Sequence, residues 1–277
     1  MAPRMGVSLK ATHRLTLNAG AGRYFQMPEL LNLTGHENNK KVLKEIGSDH
    51  LIAGFDYLLT EDTRLTGEVY HKNYFRYPVI ATPGYEMVSM ANVGADFGSD
   101  GSYELVSKGK GKVEGVDVMI QKKVVDHVWG LVSYSYSDIR HKALDDVYRA
   151  GKFDNKHVLN AVLGFRFNKG FEFSMKYRYA GGTPYTPYDE AASRKADTGV
   201  MDLTRINDNR YDAYQRLDIR LDQREFYKRF TLISYMSIEN VFDQQNEINA
   251  HWDNRKNCLA FNKQTGRYFV GGMSIEF

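Results

Sequence analysis

The sequence predicts an all-β fold, an antiparallel transmembrane β-barrel built from about eleven long strands. Three observations predict it. Apolar and polar residues alternate with period two over long runs. The connections between those runs alternate between short and long. The composition favours Tyr, Phe and Gly, with 19 Tyr, 15 Phe and 24 Gly against 6 Pro in 277 residues, which is a strand-and-barrel composition.

The elements follow in order. Strands near 4–11 and 14–24 join through Thr12 and His13, and strands near 49–60 and 63–76 through Glu61 and Asp62. Strands near 111–123 and 127–140 join through Val124, Val125 and Asp126. Next, Ala161, Leu163, Phe165 and Phe167 alternate with Val162, Gly164 and Arg166. Asn168, Lys169 and Gly170 then turn the chain, because Asn and Gly tolerate the positive φ of tight hairpins. On the return, Phe171, Phe173, Met175, Tyr177 and Tyr179 alternate with Glu172, Ser174, Lys176 and Arg178. Strands near 213–224 and 229–242 join through Phe226, Tyr227 and Lys228, and a last strand runs over 267–277. Leu217, Ile219 and Leu221 interleave with Arg216, Asp218, Arg220 and Asp222. Only a strand separates two such sets onto opposite faces. Arms of this length suit a tilted bilayer crossing of ~9–11 residues better than the 5–6 usual in globular sheets.

The long connections cover roughly 25–48, 77–110, 141–154, 182–212 and 243–266, are polar, and carry one short helical piece near 40–46. Short turns at one end and long loops at the other are the layout of outer-membrane barrels, with short periplasmic turns and long extracellular loops. A soluble sandwich can show the same alternation, but it mixes its loop lengths.

Other classes lack support. The net charge of +3 and the absence of a basic stripe with interleaved aromatics give no case for nucleic acid. Cys258 has no partner for an internal disulfide. No stretch approaches the ~18 apolar residues of a membrane helix. Met1-Ala2-Pro3-Arg4 does not open a signal peptide, so an exported protein is expected to extend beyond this sequence. The eight histidines, at 13, 36, 50, 71, 127, 141, 157 and 251, show no metal-site spacing. No nucleophile elbow, Walker loop or dinucleotide turn occurs, and Gly109 and Gly111 flank only a lysine. No catalytic residue, metal or cofactor is expected.

Candidate binding residues therefore lie in the loops, which carry function more often than scaffold does. Tyr185 and Tyr188 in one loop, and Trp252, Asp253 and Arg255 in another beside His251 and Asn254, offer aromatic and charged contacts for a ligand at the mouth. The alternative is an ordinary loop around a packed Trp. Arg216, Asp218, Arg220 and Asp222 face inward, where a cross-strand salt-bridge ladder is favoured over a solute path. Tyr134, Tyr136, Tyr177 and Tyr179 suit an aromatic girdle at the membrane interface. Asp154 and His157 read as structural hydrogen-bonding residues at the base of a strand.

Several phrases then resemble one family. Gly272, Ile275 and Phe277 match the terminal β-signal read by the barrel assembly machinery, with Val270 where that pattern has a polar residue. Ile238-Glu239-Asn240-Val241-Phe242-Asp243 resembles the penultimate-strand phrase of TonB-dependent receptors. Gly22-Arg23-Tyr24-Phe25-Gln26-Met27-Pro28-Glu29, Glu68-Val69-Tyr70-His71-Lys72, Gly182-Thr183-Pro184-Tyr185-Thr186-Pro187 and Tyr214-Gln215-Arg216-Leu217-Asp218-Ile219-Arg220 resemble further phrases of the Bacteroidota type, in the family's order. The resemblance implies a 22-stranded barrel around an N-terminal plug, with a Ton-box for the energy-transducing partner. Residues 1–277 would be the C-terminal part of that barrel, with plug and signal peptide absent. The implied function is TonB-energised nutrient uptake of a siderophore, vitamin, glycan or peptide. The implied partners are outer-membrane lipid, the assembly machinery, TonB through the missing N-terminal part, and a surface lipoprotein. A passive porin, another outer-membrane barrel and a soluble all-β binding module are the alternatives. Half a barrel would leave two unpaired edges, so the isolated chain is not expected to close as a stable barrel.

Overall fold

A computed structural model describes residues 1–93, 103–125, 127–167 and 170–277. Eleven long strands form one antiparallel meander. In chain order they are β1 (Arg4–Lys10), β2 (Leu15–Gln26), β3 (Ile46–Leu58), β4 (Thr63–Ile80), β5 (Leu105–Val125), β6 (Val128–Lys142), β8 (His157–Arg166), β9 (Phe171–Ala180), β12 (Tyr214–Phe226), β13 (Thr231–Glu239) and β16 (Tyr268–Glu276). The intervening numbers belong to short strands in the long connections. These are β7 (Arg149–Ala150), which pairs with β6, the pair β10 (Pro184–Tyr185) and β11 (Asn209–Arg210), and the hairpin β14 (Glu247–Asp253) with β15 (Cys258–Lys263). β1 and β16 are the two ends of the run.

The register sorts every strand onto two faces. Residues directly opposite in an antiparallel pair share a face, and successive residues alternate. Following Ile219 across the sheet gives Met175 and Leu163 on one side and Ile238 and Phe269 on the other. Following Val69 gives Val116 and Tyr136 in one direction and Ala53, Ala19 and Val7 in the other. This face is therefore apolar across all eleven strands. It is also uncovered: Val7, Leu51, Val69, Met236, Phe269 and Met273 are each more than half exposed. A continuous exposed apolar sheet face is not viable in water. It is the lipid face of a barrel. The opposite face carries Asn18, Glu68, Lys72, Asp117, Ser133, Asn160, Arg178 and Asp218, the residues of a polar lumen.

On the lumen side the sequence-predicted ladder takes a different form. Arg216 pairs with Asp218 and Arg220 with Asp222, two residues apart along β12, while Arg216 also reaches Glu239 across to β13. Across to β9, Arg216 faces Arg178, a like charge. Two of the three pairs therefore run along the strand, and the one cross-strand pair goes to β13, because on the β9 side Arg216 meets Arg178.

Two lumen glycines are required by close approach. The Trp129 indole lies where a Cβ of Gly164 would stand, and its Nε1 donates to Glu172 at 3.0 Å. At the mouth, a Cβ of Gly182 would strike the Tyr211 carbonyl oxygen. The turn 124–126 is described only to Val125, and of the turn 168–170 only Gly170 lies within the described residues.

β4 and β5 are longer than the sequence suggests, reaching Ile80 and starting at Leu105. The added ends, 77–80 and 105–110, lie past register shifts at Phe75/Tyr77 and Tyr77/Pro78, which break the period-two alternation there. The helical piece expected near 40–46 is shorter, α2 (Asn39–Val42), because Leu43 is already extended and Ile46 starts β3. α1 (Leu30–Thr34) precedes it, α3 (Met90–Val93) lies between β4 and β5, and α4 (Glu190–Ala196) follows β10.

The buried hydrophobic cluster sits at the loop ends of β4 and β5 and in the connections over them. Ile80, Val88, Leu105 and Ile206 pack together, with Leu43, Tyr85, Met90 and Met201 around them. Three long connections thus share one small core over one end of the sheet.

Candidate functional site

The loop layer is held by buried polar groups with saturated or nearly saturated bonding. Asn39 donates to the Asn32 and Tyr103 carbonyls and accepts from the Leu105 N–H at 2.9 Å, joining the second and fourth strands' exits. Asn207, in a left-handed conformation with φ 60°, donates to the carbonyls of Asn92 and Ala150 at 2.5 and 2.7 Å. Asp154 is fully buried. It accepts from the Ile139 N–H at 2.8 Å and pairs with Arg210 at 2.6 Å and Lys156 at 3.0 Å. This is the structural role expected of it. His157 accompanies it only nearby, bonding the Tyr134 hydroxyl at 2.8 Å on the outer face.

This framework encloses a cavity of about 250 Å³. One wall comes from the β9–β12 connection: Tyr185, Thr186, Tyr188, Met201, Asn207 and Tyr211. Another comes from β14, with Asn249, Ala250 and His251, and Lys152 of the β6–β8 connection completes it. The sequence phrase Pro184-Tyr185 places its tyrosine here by pairing with Asn209–Arg210 as a two-residue sheet. Tyr185 lies over Tyr211, with ring centroids 4.6 Å apart and planes at 32°. Phe261 of β15 closes edge-on against both rings. The Tyr211 hydroxyl accepts from the Ala250 N–H at 2.9 Å, which ties the two loops together.

The electrostatics are those of a cavity with donors and rings but no acid in its lining. Burial pushes the Lys152 amine below its usual range and the Tyr188 and Tyr211 phenols above theirs. Burial disfavours the charged form in each case. Nδ1 of His251 is buried with no hydrogen-bond partner among the described residues.

Of the residues singled out from the sequence, Tyr185 and Tyr188 line this cavity. Trp252 is buried directly behind, its ring 6.2 Å from that of Tyr188. Asp253 and Arg255 lie outside the lining. Asp253 caps the β14–β15 turn, accepting from the N–H groups of Arg255 and Lys256 at 2.9 and 3.1 Å. Those two N–H groups hold the Asp253 carboxyl below its ordinary range. His251, named beside that loop's candidates, also lines the cavity, whereas sequence reasoning missed Lys152, Asn207, Tyr211 and Asn249. The phrase carrying Tyr185 pointed at the right loop, but nothing local says that β14 folds back onto it.

Other motifs acquire physical reasons. Asn240 ends β13 with φ 55°, and its amide donates to the Gln244 carbonyl at 2.9 Å, while Phe242 packs against Tyr177 outside. Arg23 and Asp49 form a two-bond ion pair at 2.6 and 2.7 Å between β2 and β3. Tyr134, Tyr136, Tyr177 and Tyr179 all stand on the lipid face at the loop end of the apolar band. In β16, Gly272 faces the lumen opposite Tyr235, Ile275 faces lipid, and Phe277 follows the strand.

Comparison with known proteins matches this architecture. The family described as TonB dependent receptor-like, beta-barrel, matches residues 1–241. No curated protein matches the chain in sequence. Among solved structures, the ferric-catecholate import receptor Fiu of Escherichia coli K12 aligns over 99% of this chain and 34% of its own, with 14% identity and a TM-score of 0.67. The ferripyoverdine receptor of Pseudomonas aeruginosa aligns over 98% and 32%, with 11% identity and a TM-score of 0.69. The FrpB iron transporter of Neisseria meningitidis aligns over 99% and 39%, with 15% identity and a TM-score of 0.65. The chain thus spans about a third of the length of these receptors. With its lipid-facing meander, its loop layer and a family match over most of its length, the chain belongs to the outer-membrane β-barrels of the TonB-dependent receptors.

Proposed function

We propose that this chain forms the C-terminal part of the barrel of an outer-membrane active-transport receptor, energised through TonB, and that the loop cavity takes part in capturing its solute. The observation that carries the reading is the cavity itself. Three connections from separate hairpins are cross-braced to enclose one aromatic, donor-rich space at the loop end of a membrane sheet. A passive pore has no need of it. Capture there is non-covalent, so the chain contributes binding and not catalysis.

The plug and Ton-box belong to the remainder of the receptor in this reading, which is supported by a chain one third the length of the receptors it aligns with. Lipid surrounds the apolar face, the assembly machinery reads the Gly272, Ile275 and Phe277 end, and a surface lipoprotein is a partner at the loop side. Solute class ranges over siderophore, vitamin, glycan and peptide. Two of the aligned structures are described as a ferric-catecholate receptor and a ferripyoverdine-bound receptor. The test is uptake by cells carrying the whole receptor. Deletion should abolish growth on one scarce nutrient, and Tyr185→Ala with Tyr211→Ala should weaken solute binding at unchanged receptor abundance. Full growth of the deletion strain on every nutrient tried, with no solute binding by the purified receptor, rejects the proposal.

A further inference from the structure

The chemistry of the loop cavity restricts what kind of solute group fits it. Size comes first. At about 250 Å³ the cavity falls just short of the roughly 300–1,000 Å³ of pockets that enclose a drug-sized ligand. It therefore holds one ring of a larger solute.

Charge comes next. The lining contains no acid, and its one amine, Lys152, already has an interaction of its own. Burying an ion without a dedicated opposite charge is costly. The lining has no carboxylate for a cation and no uncommitted amine for an anion.

The hydrogen-bonding groups that remain are neutral and of both kinds. Asn207 is buried, and both N–H groups of its side chain are spent on the carbonyls of Asn92 and Ala150. Only its Oδ1 is left, an acceptor. Asn249 is the reverse case. Its Oδ1 accepts from Asn262 at 2.9 Å, which leaves its side-chain N–H groups as donors. Thr186 Oγ1 accepts from the Asn207 N–H at 3.3 Å and keeps its own proton to donate. The Tyr188 hydroxyl makes no hydrogen bond among the described residues, and His251 Nδ1, which donates or accepts according to its tautomer, is buried without a partner. A carboxylate or phosphate oxygen only accepts, so it cannot satisfy Asn207 Oδ1. An ammonium only donates. A hydroxyl does both, and suits a mixed set of this kind.

The apolar wall completes the match. Tyr185 and Tyr211 lie 4.6 Å apart and Phe261 braces both edge-on, so the wall is rigid. A pyranose carries hydroxyls around its edge and C–H bonds on its faces. One face can lie on a tyrosine ring while the edge meets the polar groups.

We propose that the cavity, on the reading that it captures solute, recognises a neutral polyhydroxylated ring, a pyranose at the end of a free oligosaccharide or carried by a larger solute. Tyr185 and Tyr211 take its face. Asn207 Oδ1 accepts from one hydroxyl, and Asn249, Tyr188 and His251 hold the others.

The test uses the whole receptor, purified in detergent. The probes are an array of neutral oligosaccharides, their uronic-acid counterparts and glycosylated peptides, with a ferric catecholate complex titrated separately. A neutral saccharide should bind at least tenfold more tightly than its uronic-acid counterpart. Tyr188→Phe and His251→Leu keep the aromatic wall and the loop braces. Each should weaken binding about three- to tenfold, the scale of one neutral hydrogen bond. A deoxy analogue lacking the matching hydroxyl should lose that factor against the wild type and nothing further against the variant, which a merely structural role would not produce. Binding of free oligosaccharides assigns the ring to a glycan, and binding of glycosylated peptides alone assigns it to a sugar-bearing solute; either supports the site. Preference for the uronic acids or the ferric complex, lost on Tyr185→Ala with Tyr211→Ala, overturns the neutral-ring assignment and leaves capture by the cavity standing. Saccharide binding untouched by that double substitution overturns both, and no saccharide binding at all overturns the assignment.

Discussion

Substituting Ile219 by Arg tests the lipid-face assignment on which the rest depends. The outward positions of β12 include Gln215, Leu217, Ile219, Leu221 and Gln223. From Gln215 to Gln223 the strand advances about 27 Å, which at a 40° tilt is about 21 Å of depth, close to the ~25 Å apolar band of such barrels. Ile219 lies at the middle of that span, in one row with Met175 and Ile238. An arginine there should cost roughly 2–4 kcal/mol, falling to about 0–1 kcal/mol at Gln215 or Gln223. Ser174 faces the lumen one row away, so Ser174→Arg should cost little. The assay is urea unfolding of the whole receptor in phospholipid vesicles, followed by tryptophan fluorescence, for Ile219→Arg, Gln223→Arg and Ser174→Arg side by side. A soluble sheet with this face in water would lose almost nothing at Ile219. A packed interior would lose as much at Ala161, Leu163 and Phe173 with no dependence on depth. A flat profile along β12, or a penalty at Ser174 matching that at Ile219, refutes the assignment.

Other expectations follow from the loops and the lumen. Ile206→Ala removes a fully buried side chain from the loop cluster, a loss of roughly 2–5 kcal/mol for a site of this kind. Because the barrel can outlast its loops, the effect should appear as faster proteolytic nicking of the connections while barrel unfolding is unmoved. Gly164→Val should block assembly, since the new side chain would occupy the Trp129 indole's place, and pairing it with Trp129→Ala should restore a heat-resistant barrel on gels. Lys152 has its pKa lowered by burial, so the unfolded loop holds that proton more tightly than the folded one. Loop stability should therefore rise with pH between the lowered folded value and pH 10. Amide exchange of residues 143–156, compared with Lys152→Met at each pH, should show that rise in the wild type only.

The sheet was legible because a membrane strand writes its environment twice. Leu217, Ile219 and Leu221 must meet lipid, Arg216, Asp218 and Arg220 must meet water, and period two follows with no help from distant residues. Legibility failed where the pairing slips. Past Phe75 the β4–β5 register shifts at Tyr77 and Pro78, so period two breaks and residues 77–80 and 105–110 read as loop. The loop layer was illegible for a different reason. Asn39, Asn92 and Asn207 look like ordinary polar loop residues, yet each is buried and bridges backbone groups far away in sequence. Nothing periodic records such a contact. The same holds for the cavity: Tyr185 could be singled out because it sits in a recognisable phrase, whereas Tyr211, Asn249 and Lys152 reach it only through the fold. A receptor scaffold under uniform physical constraint is thus written in sequence pattern. Its loop site is specified pairwise, and it can change its lining residue by residue without disturbing a strand.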